Sequence, residues 1–410
     1  MDILIEDLAG SLWSVAIDKK NKIQNMDIDP YAEIIRWGSL YIGQVGRIDS
    51  ANNTAYIELG FGFQGLLYLK DVRIEGSPPA KGQKIGQVLR PGQMVMVQVK
   101  TPFNPSGIAE DSTENMKSSR VSMDIALAGR YLIYTPFSSE TRVSKRIEDK
   151  ALRKNLLSMV KDIDDINGCI LRSSAANCQT DILVREGKIL KAIWDSLQEY
   201  DGENEPTLLM LGPNAVQRTL GDLSSSRIDS IAVSTMDIFE ETEEWCDLFA
   251  PDLMTKIEPR AAENTRSGMG LFEIHDLIGQ FEGLLNPYVI LPSGGSIIIE
   301  NTAAMTVIDV NSGRDKNRMN ANLEAAAELA RQLRIRNLGG IIMVDFITMK
   351  SKAENTKLLK ALNESLADDP CTVTCHGITS LGIFELSRQR RTPTLEEKLI
   401  MVENGGDDEE

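Results

Sequence analysis

Residues 306–315 read TVIDVNSGRD. A β-branched, apolar run carries Asp309 in its middle, then Asn311 and a Ser-Gly turn. A carboxylate in a strand that reads as buried is costly unless it meets a partner or a metal ion. Downstream, NANLEAAAELARQLRIRNL (320–338) sets Leu323, Ala326, Ala330 and Leu333 at helical spacing, with Glu324, Glu328, Arg331 and Arg334 elsewhere around the helix. Asn320 or Asn322 suits the helix start and Gly339 its end. GGIIMVDFI (339–347) follows, a near-continuous apolar run of the kind expected of a strand covered on both faces. Strand, helix and strand form a unit whose strands are expected to run parallel with a right-handed crossover.

Asp309 and Asp345 then both fall toward the carboxyl ends of their strands, the edge at which open α/β sheets bind ligands. Neighbouring strands lie about 4.8 Å apart, so the two carboxylates can grip one cation. Without a cation they repel, and one takes up a proton. Asn311, two residues on, leaves the strand on the same face as Asp309. Oxygen-only ligands suit Mg²⁺, with Mn²⁺ as a substitute, and such a site serves phosphodiester chemistry. The plainer reading keeps Asp309 as a turn cap and pairs Asp345 with Arg314 or Arg334. These residues alone leave the two readings open.

The chain has 410 residues, enough for two to four domains. Apolar residues make up 42% and charged residues 25%, an ordinary globular balance. No run of about 18 apolar residues marks a membrane span, and MDILIEDLAG carries acids where a signal peptide carries Lys or Arg. The expectation is a soluble, cytoplasmic protein. Five scattered cysteines argue against a disulfide framework. Cys371, Cys375 and His376 cluster in CTVTCHG, but that segment reads as a strand and no second Cys/His pair follows, so no zinc is expected. The net charge of −16 weighs against nucleic acid unless basic residues are gathered locally. Three such gatherings exist, SKRIEDKALRK (144–154), RQLRIR (331–336) and SRQRR (387–391), each of which also suits a solvated helix face.

Residues 1–30 read as a hairpin, ILIED and SLWSVAID around a Gly turn. From 39 to about 127 short alternating strands with Gly turns suggest a small barrel, closed by a polar loop at 101–119. Residues 128–215 mix strands (RYLIYTPF, GCILRSS) with an amphipathic helix, EGKILKAIWDSLQEY, and residues 216–283 are mixed again.

Six words now stand in order along the chain: LAGRYL (127–132), SKRIED (144–149), LPSGG (291–295), IDVNSGR (308–314), NLEAAAELARQLRIRNLGGIIMVDFI (322–347) and LSRQR (386–390). Together they resemble the ribonuclease E/G family of bacterial endoribonucleases. The resemblance implies a multidomain α+β and α/β fold. An RNase H-like domain (1–37 and 216–283) would be interrupted by an S1 (OB) barrel (38–125) and a 5′-sensor domain (126–215). A DNase I-like catalytic domain (284–395) and an acidic tail (396–410) would follow. It further implies catalytic Asp309, Asn311 and Asp345, with Mg²⁺ on the two aspartates, cutting single-stranded RNA to leave a 5′-phosphate. A 5′-monophosphate would be read by Gly129, Arg172 and Ser173. RNA would be gripped by Tyr56 and Lys117 of the barrel and by Lys145, Arg146, Arg388 and Arg390.

Three departures from the family pattern stand out. Leu66 occupies the barrel's second aromatic position, with Phe61, Phe63 or Tyr68 as substitutes. Thr348 stands where a further aspartate is usual, and the Cys-x-x-Cys pair of the family's zinc bridge between subunits is missing. Any homo-oligomer is therefore expected to form without that bridge. They also motivate an alternative, an RNA-binding paralogue with little or no cutting; a nuclease preferring DNA is a third reading.

Overall fold

The computed structural model describes residues 1–30, 33, 35–101, 119–161, 163, 166–200, 202, 205–259, 268–302, 304–313 and 317–405. The polar loop expected at 101–119 falls almost wholly outside them, as do Lys117 and Arg314. The chain divides into two compact units. One comprises 1–31, 232–235 and 260–410, and the other 32–231 and 236–259.

The first unit opens with three antiparallel strands, Asp2–Leu8, Ser11–Ile17 and Ile23–Asp29, so the expected hairpin gains a third strand. Trp13, Val15, Ile17 and Ile23 pack there with Leu271, Phe272, Leu277 and Leu284. The larger element of this unit is a six-stranded sheet. Its spatial order is Tyr288–Ile290, Ser296–Asn301, Met305–Asn311, Gly340–Asp345, Phe384–Arg388 and Val373–Ile378. Met305–Asn311 and Gly340–Asp345 are parallel neighbours, joined by the helix Arg318–Ile335. The strand–helix–strand unit therefore forms as the spacing of its residues requires. A second helix, Lys352–Leu366, opens with a capping box between Ser351 and Glu354, and it packs beside the first.

Details of this unit differ from expectation. The crossover helix is capped by Asn317, whose side chain accepts from the Asn320 N–H, and it ends before Asn337, which takes the positive φ of a helix stop. Asn322 is fully buried inside the helix instead of capping it. Among the described residues the two helices cover one face of the sheet. Ile297, Ile299, Ile308, Val310, Ile342, Val344, Phe384 and Leu386 meet Ala326, Leu329, Leu333, Leu358 and Leu362 of the two helices. On the other face Val307 is exposed and Ile341 is 52% exposed. Asp309 and Asp345 lie on that open face, so the carboxylates are exposed and not buried. Every second residue being apolar on both faces is what made these strands read as doubly covered.

The second unit contains a closed five-stranded barrel. Strands Leu40–Asp49, Thr54–Gly60, Phe63–Tyr68, Ser119–Ser122 and Met94–Thr101 pair in that order, and the last pairs back to the first. This OB-like closure leaves no free edge. Gly43 and Gly65 allow the walls to meet, since an added Cβ would lie 2.5 Å from Ile57 Cγ2 and 2.6 Å from Val121 Cγ1. The same unit holds a four-stranded sheet of Thr141–Val143, Cys169–Leu171, Leu132–Tyr134 and Leu127–Ala128. Helices Lys150–Val160 and Thr180–Gln198 bury Leu156, Leu183, Leu190 and Trp194 with it. Among the described residues no helix is long and apolar enough to cross a membrane.

Candidate metal centre and nucleic-acid interface

Asp309 and Asp345 stand directly opposite each other in the parallel pairing. Directly opposed residues project from the same face, and Asn311 shares that face two residues on. Asn311 Nδ2 donates to Asp309 Oδ2 at 2.6 Å. Among the described residues neither aspartate has a cation within ion-pair distance, which removes Arg334 as a partner for Asp345. The end of the second strand is fixed from below. Asn322 Nδ2 donates to the Ile347 carbonyl at 2.8 Å, and the Ile347 N–H donates back to Asn322 Oδ1 at 3.0 Å. The crossover helix thus clamps the backbone two residues beyond Asp345. Two solvent-facing carboxylates and an amide form the kind of oxygen set that Mg²⁺ takes. Among the described residues no group of three or more His, Cys, Asp or Glu side chains gathers as a metal cage.

The residues expected at a 5′-phosphate do come together. Arg172 Nη1 donates to the Gly129 carbonyl at 2.7 Å, and Ser173 follows, exposed. Arg172 Nη2 also pairs with Asp222, a partner the sequence did not disclose. Beneath them Glu186 is buried and accepts the backbone N–H groups of Arg130, Tyr131 and Leu132 at 2.8–3.0 Å. Burial pushes its carboxyl up to about 7, against the pull of those N–H groups and of Arg172. Gly129 is required here, since an added Cβ would lie 2.5 Å from the Glu186 carboxylate.

On the barrel, Tyr56 lies opposite Leu66, and the Arg47 guanidinium sits 4.4 Å from the Tyr56 ring centroid, a cation–π contact the sequence gave no sign of. Tyr68 lies on the same outer face, with Arg120 at 5.5 Å and Lys70 at 5.8 Å. Lys145 and Arg146 are exposed. Arg388 is not available to RNA. It is 2% exposed, its Nε pairs with buried Asp369 at 2.9 Å and its Nη1 donates to the Leu338 carbonyl. Arg390 is held by Glu397. Within RQLRIR, Arg331 pairs with Glu328 and Arg336 is buried, so that stretch is not a basic surface patch.

Comparison with known proteins bears directly on this geometry. Residues 126–391 match the profile described as the Ribonuclease E/G family. The chain belongs to the ribonuclease E/G family. It is similar to Ribonuclease G of Salmonella typhimurium, 30% identical over 413 residues that span 97% of this chain and 81% of the relative. Ribonuclease G of Haemophilus influenzae is 28% identical over the same shares. Ribonuclease E of Synechocystis is 30% identical over 400 residues, 93% of this chain and 56% of the relative. The ribonuclease E/G match spans the strand–helix–strand unit that carries both aspartates.

Proposed function

We propose that this ribonuclease E/G member is a Mg²⁺-dependent endoribonuclease that cuts single-stranded RNA, leaves a 5′-phosphate on the downstream product and acts in RNA processing or turnover. The endoribonuclease class follows from family membership; the metal, the strand preference and the product are our reading. One observation carries it: Asp309 and Asp345 oppose each other in register on the open face, at the carboxyl ends of parallel neighbours. Asp309 and Asp345 would hold the ion, and Asn311, by donating to Asp309, fixes that carboxylate's rotamer and presents its amide to the phosphate. Magnesium there would supply positive charge for the phosphodiester and Lewis-acid activation of the attack. The exposed face admits a flexible strand. Tyr56 with Arg47, and Tyr68 with Arg120 and Lys70, give the barrel the aromatic-plus-cation character of a single-strand platform.

We further read Gly129, Arg172 and Ser173 as the site of 5′-monophosphate stimulation, an Arg being suited to a phosphate by its forked donors. The four-domain division, with an RNase H-like part around the barrel and sensor, belongs to the same reading. The test is cleavage of a 5′-monophosphorylated single-stranded RNA with and without Mg²⁺. Asp309→Asn and Asp345→Asn are each expected to lose about a hundredfold or more in kcat/KM, the several kcal/mol that metal-held charge contributes. Cleavage at the parent's rate by either variant sinks the reading.

A further inference from the structure

The row of the sheet that carries both acids ends on a residue the proposed chemistry does not use. Tyr288 pairs with Ile298, Ile298 with Asp309, and Asp309 with Asp345. All four side chains therefore leave the sheet on its open face. At about 4.8 Å per strand, Tyr288 stands about 10 Å from Asp309. It is 50% exposed, and among the described residues no other ring or cation covers it. Its backbone is nevertheless fixed. The Tyr288 N–H donates to Asn286 Oδ1 at 2.9 Å, and the adjacent Val289 packs against the helix-covered core. Ile298 lies half-buried between ring and acid, an apolar floor without charge.

An aromatic side chain has a large surface to hide. Leaving one half in water, on a strand whose backbone is fixed and on the row of the two carboxylates, suits a group that receives a flat partner from outside. We propose that Tyr288 stacks the base of a nucleotide adjacent to the phosphodiester held at Asp309 and Asp345. It is a positioning residue: the acids and their ion grip the backbone, and the ring fixes where along the strand that grip falls. Bases already stacked within a duplex do not offer a face to the ring, so Tyr288 also contributes to the preference for single strands. The inference rests on the reading of Asp309 and Asp345 as the cutting pair.

The experiment uses the full chain and a 5′-monophosphorylated single-stranded RNA with one cleavage site, alongside copies bearing a single abasic nucleotide at each position flanking that site. Tyr288→Ala is expected to raise KM about tenfold with kcat little changed, the loss of one stacked base. Tyr288→Phe is expected to restore the parent's KM, because the ring and not the hydroxyl acts. One abasic position should penalise the parent equally and cost Tyr288→Ala nothing more. Parent-like KM in Tyr288→Ala, or an abasic penalty that persists undiminished in that variant at every position, overturns the proposal. If Asp309→Asn cuts normally, the reading of the site falls; if Asp309→Asn is inactive and Tyr288→Ala is parent-like, this inference alone falls.

Discussion

At the scale of single residues, Arg172 shows how a charge partner changes what a side chain does. Its guanidinium holds the Gly129 carbonyl and pairs with Asp222, so an incoming phosphate competes with a carboxylate already in place. A charge within about 4–6 Å shifts an ionic equilibrium by about one power of ten or more, and a like charge disfavours the incoming anion. Asp222→Asn is therefore expected to raise the ratio of cleavage of 5′-monophosphorylated over 5′-hydroxyl RNA by about tenfold. An unchanged or lower ratio means Asp222 positions Arg172 instead of opposing the ligand. Asp309, Asn311 and Asp345 were legible in the sequence because their period-two spacing and strand-end positions survive translation into structure. Arg388 was not. An arginine in SRQRR looks like surface, and only the fold reveals that the strand Phe384–Arg388 turns this residue onto the covered face, against Asp369.

At the scale of elements, Asn322 ties the crossover helix to the strand it serves. Its amide closes two hydrogen bonds with the backbone of Ile347. Asn322→Ala leaves the Ile347 N–H and C=O without their side-chain partners, a cost of about 1–3 kcal/mol for part-buried groups. The expected result is a lower Tm together with a fall in kcat, because Asp345 sits two residues from the clamp. A Tm loss with kcat intact would make the clamp purely structural. The sequence invited a helix cap at this asparagine, since Asn favours caps; burial at a turn facing the sheet overrode that preference.

The helix Thr180–Gln198 supplies a second such tie through Glu186. Its carboxyl, ordinarily near 4.5, is pushed up to about 7 by burial, so the folded unit holds the proton more tightly than the unfolded chain does. Stability from this group is fully present below about 4.5 and is lost as pH rises through about 7, by about 3 kcal/mol. Glu186→Gln is expected to flatten that part of the stability-versus-pH curve measured by denaturant unfolding; an unaltered slope contradicts the assignment.

At the scale of the whole molecule, the chain is acidic, with a net charge of −16, and its proposed substrate is a polyanion. Local cations must therefore do the gripping, among them Arg47, Lys145 and Arg146, and general repulsion is screened beyond about 8 Å at physiological salt. The barrel was legible because Gly turns punctuate short alternating strands, a pattern local in sequence. The grouping of residues 1–31 with 260–410 in one compact unit was not. Contacts between segments so far apart leave no periodic trace, and the apolar residues of the first hairpin name no partner. The open face of the sheet that carries both aspartates escaped notice for a related reason: Val307 and Ile341 are apolar yet exposed, so hydropathy alone could not tell one covered face from two.

The central claim is that Asp309 and Asp345 share one divalent cation. Mn²⁺ binding followed by electron paramagnetic resonance, on the parent and on the double variant Asp309→Asn/Asp345→Asn, tests it directly. The account predicts one Mn²⁺ site in the parent that Mg²⁺ displaces and that the double variant lacks; an equally tight site in both proteins contradicts it.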